Sequence, residues 1–110
     1  PTELNGDEDA IAFFGVIRRI LTDTSIDPTQ AQQANIDAAQ QTLEIIRSNR
    51  VRDWYRTDDH PSLKVMEDKI DDYMYDVLEK KYDVDLDANT KDRMISEIIQ
   101  LAKNRPDLRY

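Results

Sequence analysis

The chain contains no cysteine, which excludes a disulfide framework and a thiolate metal site. Such a composition suits a reducing compartment, and a cytoplasmic location is the expectation. Glycine occurs only at Gly6 and Gly15. With so few residues that accept a positive φ, tight hairpins are hard to build, and an all-β fold is disfavoured. No apolar run approaches the roughly 20 residues of a membrane helix, so no membrane partner is expected. The N-terminus opens on Pro1 and continues through acids, without the basic and then apolar order of a signal peptide. There is no Gly-rich phosphate loop, no Walker-type Lys-Ser/Thr pair, and no serine with a plausible base and oxyanion donors. Catalysis within this chain is therefore not expected.

What is present is helical. The chain has 110 residues, 39% hydrophobic and 35% charged, which fits a single domain over residues 1–110. Ala10, Phe13, Phe14, Ile17 and Leu21 recur at helical spacing and predict a helix over about 8–22, with Asp7, Glu8 and Asp9 favoured by its dipole. Asp27 and Pro28 predict an N-cap and first turn of a second helix, which runs to about Asn49. Its Gln- and Ala-rich half, 30–41, is expected to bury little, a sharper apolar stripe follows in Ile36, Ala39, Leu43 and Ile46, and Asn49 is expected to be a left-handed C-cap. A third helix is predicted from Pro61, capped near Asp59 or His60, with a stripe of Leu63, Met66, Ile70, Tyr73 and Val77 widened by Met74, Leu78 and Tyr82. Asp83–Asp87 reads as a short connection. A fourth helix is predicted from Ala88, capped by Asp87, to about Lys103, with Met94, Ile95, Ile98, Ile99 and Ala102 inward and Pro106 beyond its end. The expected fold is all-α, a small irregular bundle of about four helices with one non-helical Asp-Trp corner.

Two clusters invite a metal or acid–base reading. Asp83, Asp85, Asp87 and Asn89 match the first alternate positions of a calcium loop, but Ala88 and Met94 stand where the loop needs glycine and a bidentate glutamate. Solvated acids and a helix cap explain them better. His60, the single histidine, has no second ligand and reads as an exposed or capping residue. The acid pairs Glu67/Asp68 and Asp71/Asp72 lie opposite the apolar stripe and read as a wetted face.

A net charge of −8 argues against free-standing nucleic-acid binding, yet the charge is unevenly spread. Residues 1–46 carry −6 and 58–92 carry −7, whereas 47–57 carry +3 and 93–110 carry +2. Arg47, Arg50, Arg52 and Arg56 form a basic island interleaved with Trp54 and Tyr55. Lys103, Arg105 and Arg109 extend it if the fourth helix ends nearby. Arginines among aromatics grip phosphates and stack on bases. The plainer alternative gives Trp54 to the core and the arginines to the helix dipole. For Trp54 the core is the stronger reading. For the arginines the question is open.

From Ile45 onward the chain resembles the C-terminal end of the motor (R) subunit of type I restriction-modification enzymes. The resemblance rests on Ile45-Ile-Arg-Ser-Asn-Arg-Val-Arg-Asp-Trp54, followed by the Leu63–Tyr82 and Met94–Ala102 helices. It covers about the last two thirds of the chain, and the Gln-rich segment has no counterpart in it. It implies a C-terminal fragment of a larger chain, one that helps dock the motor on the methyltransferase core and lies near the DNA path. ATP and Mg would serve the rest of that motor subunit, an ATP-dependent translocase and site-specific deoxyribonuclease. No cofactor or metal is expected in these residues. The alternative function is a non-enzymatic protein-interaction module with no nucleic-acid contact.

Overall fold

The computed structural model of the chain describes residues 1–110 and contains four main helices and no strand. α1 spans Glu8–Leu21, α2 Pro28–Asn49, α3 Pro61–Tyr73 and α4 Ala88–Lys103, with short 3₁₀ turns at Thr2–Leu4 and Pro106–Leu108. The helices form a closed ring in which α1 packs on α2 and α4, and α3 packs on α2 and α4. The body measures 40 × 32 × 19 Å, and its thinnest dimension corresponds to two layers of helices about 10 Å across. No helix is long and apolar enough to cross a membrane.

The caps set the helix starts. Asp7, Asp27 and Asp87 accept from the backbone N–H of Ala10, Thr29 and Thr90, and His60 Nδ1 accepts from Ser62 N at 3.2 Å. His60 is therefore a capping residue, and Pro28 and Pro61 occupy first-turn positions whose N–H needs no partner. Phe13, Ile17, Ile20 and Leu21 of α1 and Met94, Ile98 and Ala102 of α4 point into one core.

Four expectations need correction. The stripe Ile36, Ala39, Leu43 and Ile46 is buried as expected, but the Gln- and Ala-rich half of α2 also buries Ala34, Asn35 and Ala38, where small alanines let α1 approach closely. Asn49 is the last helical residue rather than a left-handed cap. Its Nδ2 donates back to Ile45 O at 2.7 Å, and Arg50 leaves in an extended conformation. The segment 83–87 is more than a connection. Val84 and Leu86 are buried between exposed Asp83, Asp85 and Asp87, and Asp85 N donates to Ser25 Oγ at 3.1 Å.

The fourth correction concerns the third helix. α3 runs without a break into a π segment, Met74–Glu79, where Lys80 N donates to Tyr75 O and Tyr82 N to Val77 O. The buried stripe is Leu63, Met66, Ile70, Met74, Leu78 and Tyr82, while Tyr73 and Val77 are only half-buried. From Met66 these residues recur every fourth position. An α-helix of 3.6 residues per turn would let that row drift around the helix, and the wider π turn keeps it facing the core. Asp83, at φ 55°, then ends the helix in the left-handed region, which Asp tolerates better than most residues.

Candidate functional site

The basic island lies where α2 ends. Beyond Arg50 the chain turns twice, with Trp54 N donating to Val51 O and Arg56 N to Asp53 O. Asp53 takes φ 64° between them. That reversal drives Trp54 into the core, where it is fully buried and its Nε1 donates to Leu108 O at 3.0 Å. Trp54 is thus a structural residue. Tyr55 meets its indole edge-on, with ring centroids 6.2 Å apart, and stays partly exposed.

The end of α4 comes to the same place, so the two basic segments converge. Lys103, only 9% exposed, donates from Nζ to Thr57 O at 3.0 Å and to Asp58 Oδ1 at 2.6 Å. Arg109 Nε donates to Lys103 O at 3.0 Å, and its guanidinium lies 4.9 Å from the Tyr55 ring centroid. Arg56 approaches the same ring at 5.4 Å while its Nε donates to Asp53 Oδ1 at 2.7 Å. Arg50 donates to Asp107 O at 2.9 Å and sits 5.8 Å from the ring of Tyr110, whose carbonyl accepts from Asp53 N.

Convergence does not leave a free basic patch. Arg47 grips Asp7 through two nitrogens at 3.2 and 3.3 Å and reaches Asp9 at 3.7 Å. Arg105 Nε donates to the other Asp9 oxygen at 2.7 Å. Asp9 is almost wholly buried, so its charge requires this double partnership. With the Arg56–Asp53 and Lys103–Asp58 pairs, four of the seven cations face carboxylates. Arg50 and Arg109 meet only carbonyl oxygens, and Arg52 makes no hydrogen bond or ion pair. The surface beside Arg47 is lined by Asp7, Glu8, Asp9 and Asp107, which lowers its attraction for phosphate further.

The same pairing sets the direction of the carboxyl pKa values. Burial pushes Asp7 upward, but Arg47 and the Ala10 and Asp9 N–H groups outweigh it and hold the carboxyl below its ordinary value. Asp53 is lowered chiefly by its hydrogen bond to Arg56, and Asp58 by its hydrogen bond to Lys103. No three His, Asp or Glu side chains gather in a metal-binding group anywhere in the chain. The corner offers neither a nucleophile with a base nor a phosphate cradle. What it can do is hold α1, α2 and α4 together and present three guanidinium groups without carboxylate partners, Arg109 against Tyr55, Arg50 against Tyr110, and Arg52.

Asp7 and Asp9 are the site residues that sequence reasoning passed over as simple dipole partners. A signal existed, because Asp9, Phe13 and Ile17 are spaced by four and share one helix face. An acid in register with an apolar stripe needs a buried cation. Comparison of the chain with protein-family models, curated proteins and solved structures finds no match.

Proposed function

We propose that this chain is the helical C-terminal part of a type I restriction-modification motor subunit, acting as an assembly domain that docks the motor on the methyltransferase core. One observation carries the reading. The segment on which the resemblance rests, Ile45–Trp54, is the corner that locks α2 to α1 and to the C-terminal residues through Arg47, Arg50 and Trp54. A corner spent on rigidity suits a docking body. ATP hydrolysis with Mg, translocation and DNA cleavage belong to the remainder of the motor subunit, a cytoplasmic enzyme. DNA contact by this domain narrows from seven cations to Arg50, Arg52 and Arg109.

A second reading, a protein-interaction module without nucleic-acid contact, is favoured by the net charge of −8 and by the four ion pairs that consume the island. The two separate in one experiment on the parent subunit. Removal of these residues should abolish co-elution with the methyltransferase core while ATPase activity persists. Joint replacement of Arg50, Arg52 and Arg109 by Gln, which removes the charge and keeps a donor for the Asp107 and Lys103 carbonyls, should leave assembly intact and flatten the salt dependence of DNA binding, each lost phosphate contact reducing the slope by about 0.9. An unchanged slope selects the second reading. Normal assembly by the truncated subunit sinks both.

A further inference from the structure

Between α3 and α4 lies a groove of about 340 Å³, bounded at one end by the Asp58–Lys103 pair of the corner. Its floor is apolar, formed by Leu63, Ile95 and Ile99. Leu63 and Ile99 are largely buried and Ile95 half-buried, so the floor is continuous with the core and fixed by it. The walls are acidic: Glu67 stands on α3 and Asp92 on α4, and neither makes an ion pair or hydrogen bond to the rest of the chain. The one cation at the groove, Lys103, is already neutralised by Asp58. Ser96 and Gln100 supply neutral polar groups along the α4 wall.

On α4 the lining residues recur from Asp92 to Lys103 on a single face, a length of about 16 Å or three helical turns. Pockets for drug-sized ligands run to roughly 300–1,000 Å³ and enclose the ligand on most sides. A groove at the low end of that range, open along its length, suits one or two apolar side chains of a helix better than a small molecule. The uncompensated carboxylates on both walls require positive charge on either side of those anchors and repel phosphate.

We infer that this groove is a docking site for a basic amphipathic helix of a protein partner, whose Leu- or Ile-type anchors enter between α3 and α4 while flanking Lys or Arg residues pair with Glu67 and Asp92. The inference names the contact surface for the assembly reading above and rests on that reading only for the partner's identity. The recognition is of the helix-in-groove kind, with apolar anchors giving affinity and the walls giving sign selectivity.

The test uses the full chain and a three-turn amphipathic peptide with Leu at helical spacing flanked by Lys and Arg, next to a control with Glu at the flanking positions. Titration followed by methyl NMR should shift Leu63, Ile95 and Ile99 with the basic peptide and leave them still with the acidic one. Glu67→Lys with Asp92→Lys, at positions that hold nothing in place, should weaken the basic peptide by about tenfold at low salt. Equal binding of the two peptides, shifts confined to other residues, or undiminished binding by the double variant would overturn the proposal. In the parent complex, failure of this inference and failure of the assembly reading look different. If removing the domain blocks assembly but the double variant assembles normally, the groove is wrong and the domain reading stands.

Discussion

The indole Nε1 of Trp54 donates to the carbonyl of Leu108 at 3.0 Å, and both side chains are completely removed from solvent. The two halves of that relationship separate by substitution. Trp54→Phe keeps most of the buried area but strands the Leu108 carbonyl, and should cost about 1 kcal/mol in urea unfolding. Trp54→Ala adds a cavity and should cost roughly 3–5 kcal/mol. An alanine variant as stable as the phenylalanine one would mean that the corner is not part of the core.

Asp9 makes a contrasting pair with Arg52. Asp9→Asn removes the charge that Arg105 and Arg47 share and should destabilise the fold by about 2 kcal/mol, the scale of a hydrogen bond to a charged group. Arg52→Ala touches nothing and should stay within about 0.5 kcal/mol of the parent. Thermal unfolding of both variants checks the assignment of one arginine group to structure and the other to the surface. Comparable losses would contradict it.

Acid should unfold the chain through specific carboxylates. Asp7 and Asp58 have native pKa values below the ordinary 3.8, as does Asp87, whose carboxylate accepts the Thr90 N–H. A lowered native pKa gives stability that is present above the unfolded value and lost as pH falls through the native one. Stability should therefore hold down to about pH 4 and decline below it. Asp7→Asn should make the acid limb shallower. A limb unchanged in this variant would mean that the Arg47 pairing does not form in solution.

Base should act through Tyr82. Burial, together with its hydrogen bond to Asp37, raises this hydroxyl to about 12, and Tyr73 beside it is raised for the same reasons, burial first and the Asp37 charge second. A raised native pKa contributes stability in full below the unfolded value near 10, and that contribution disappears as pH climbs through the native one. Unfolding free energy should fall from about pH 10 upward. Ultraviolet titration should show two of the five tyrosines ionising late, together with unfolding. Five tyrosines titrating together near pH 10 would refute the burial of both hydroxyls.

The helix starts were legible because capping is local: Asp27-Pro28, Asp87 and Pro61 carry their signal within two or three residues. The fully buried Trp54 at an irregular corner was legible as well. The π segment was not, since Tyr73/Val77 and Met74/Leu78 fit a helical period equally and only packing chooses between them. The arginine partners were hidden by distance along the chain, with Asp7 lying 40 residues from Arg47 and Asp9 lying 96 from Arg105. Local pattern counts charges but does not pair them. The burial of Val84 and Leu86 was present as an alternation with Asp83, Asp85 and Asp87, masked by the acids themselves.

The junction of Trp54 with the C-terminal turn has a consequence for the order in which the molecule assembles and opens. α1 and α2 adjoin in sequence, so their pairing encloses little chain. Joining position 54 to 108 and position 9 to 105 encloses far more, and the entropy of closure rises with the enclosed length. The segment from Arg105 to Tyr110 is therefore a latch that shuts late, along with the α1–α4 pairing that encloses a similar length. As a chain end it can release without separating α1 from α4, at a free energy below that of global unfolding. Trp54 is the chain's single tryptophan, and its emission reports the latch directly: a red shift ahead of any loss of helical circular dichroism marks the open, still folded form.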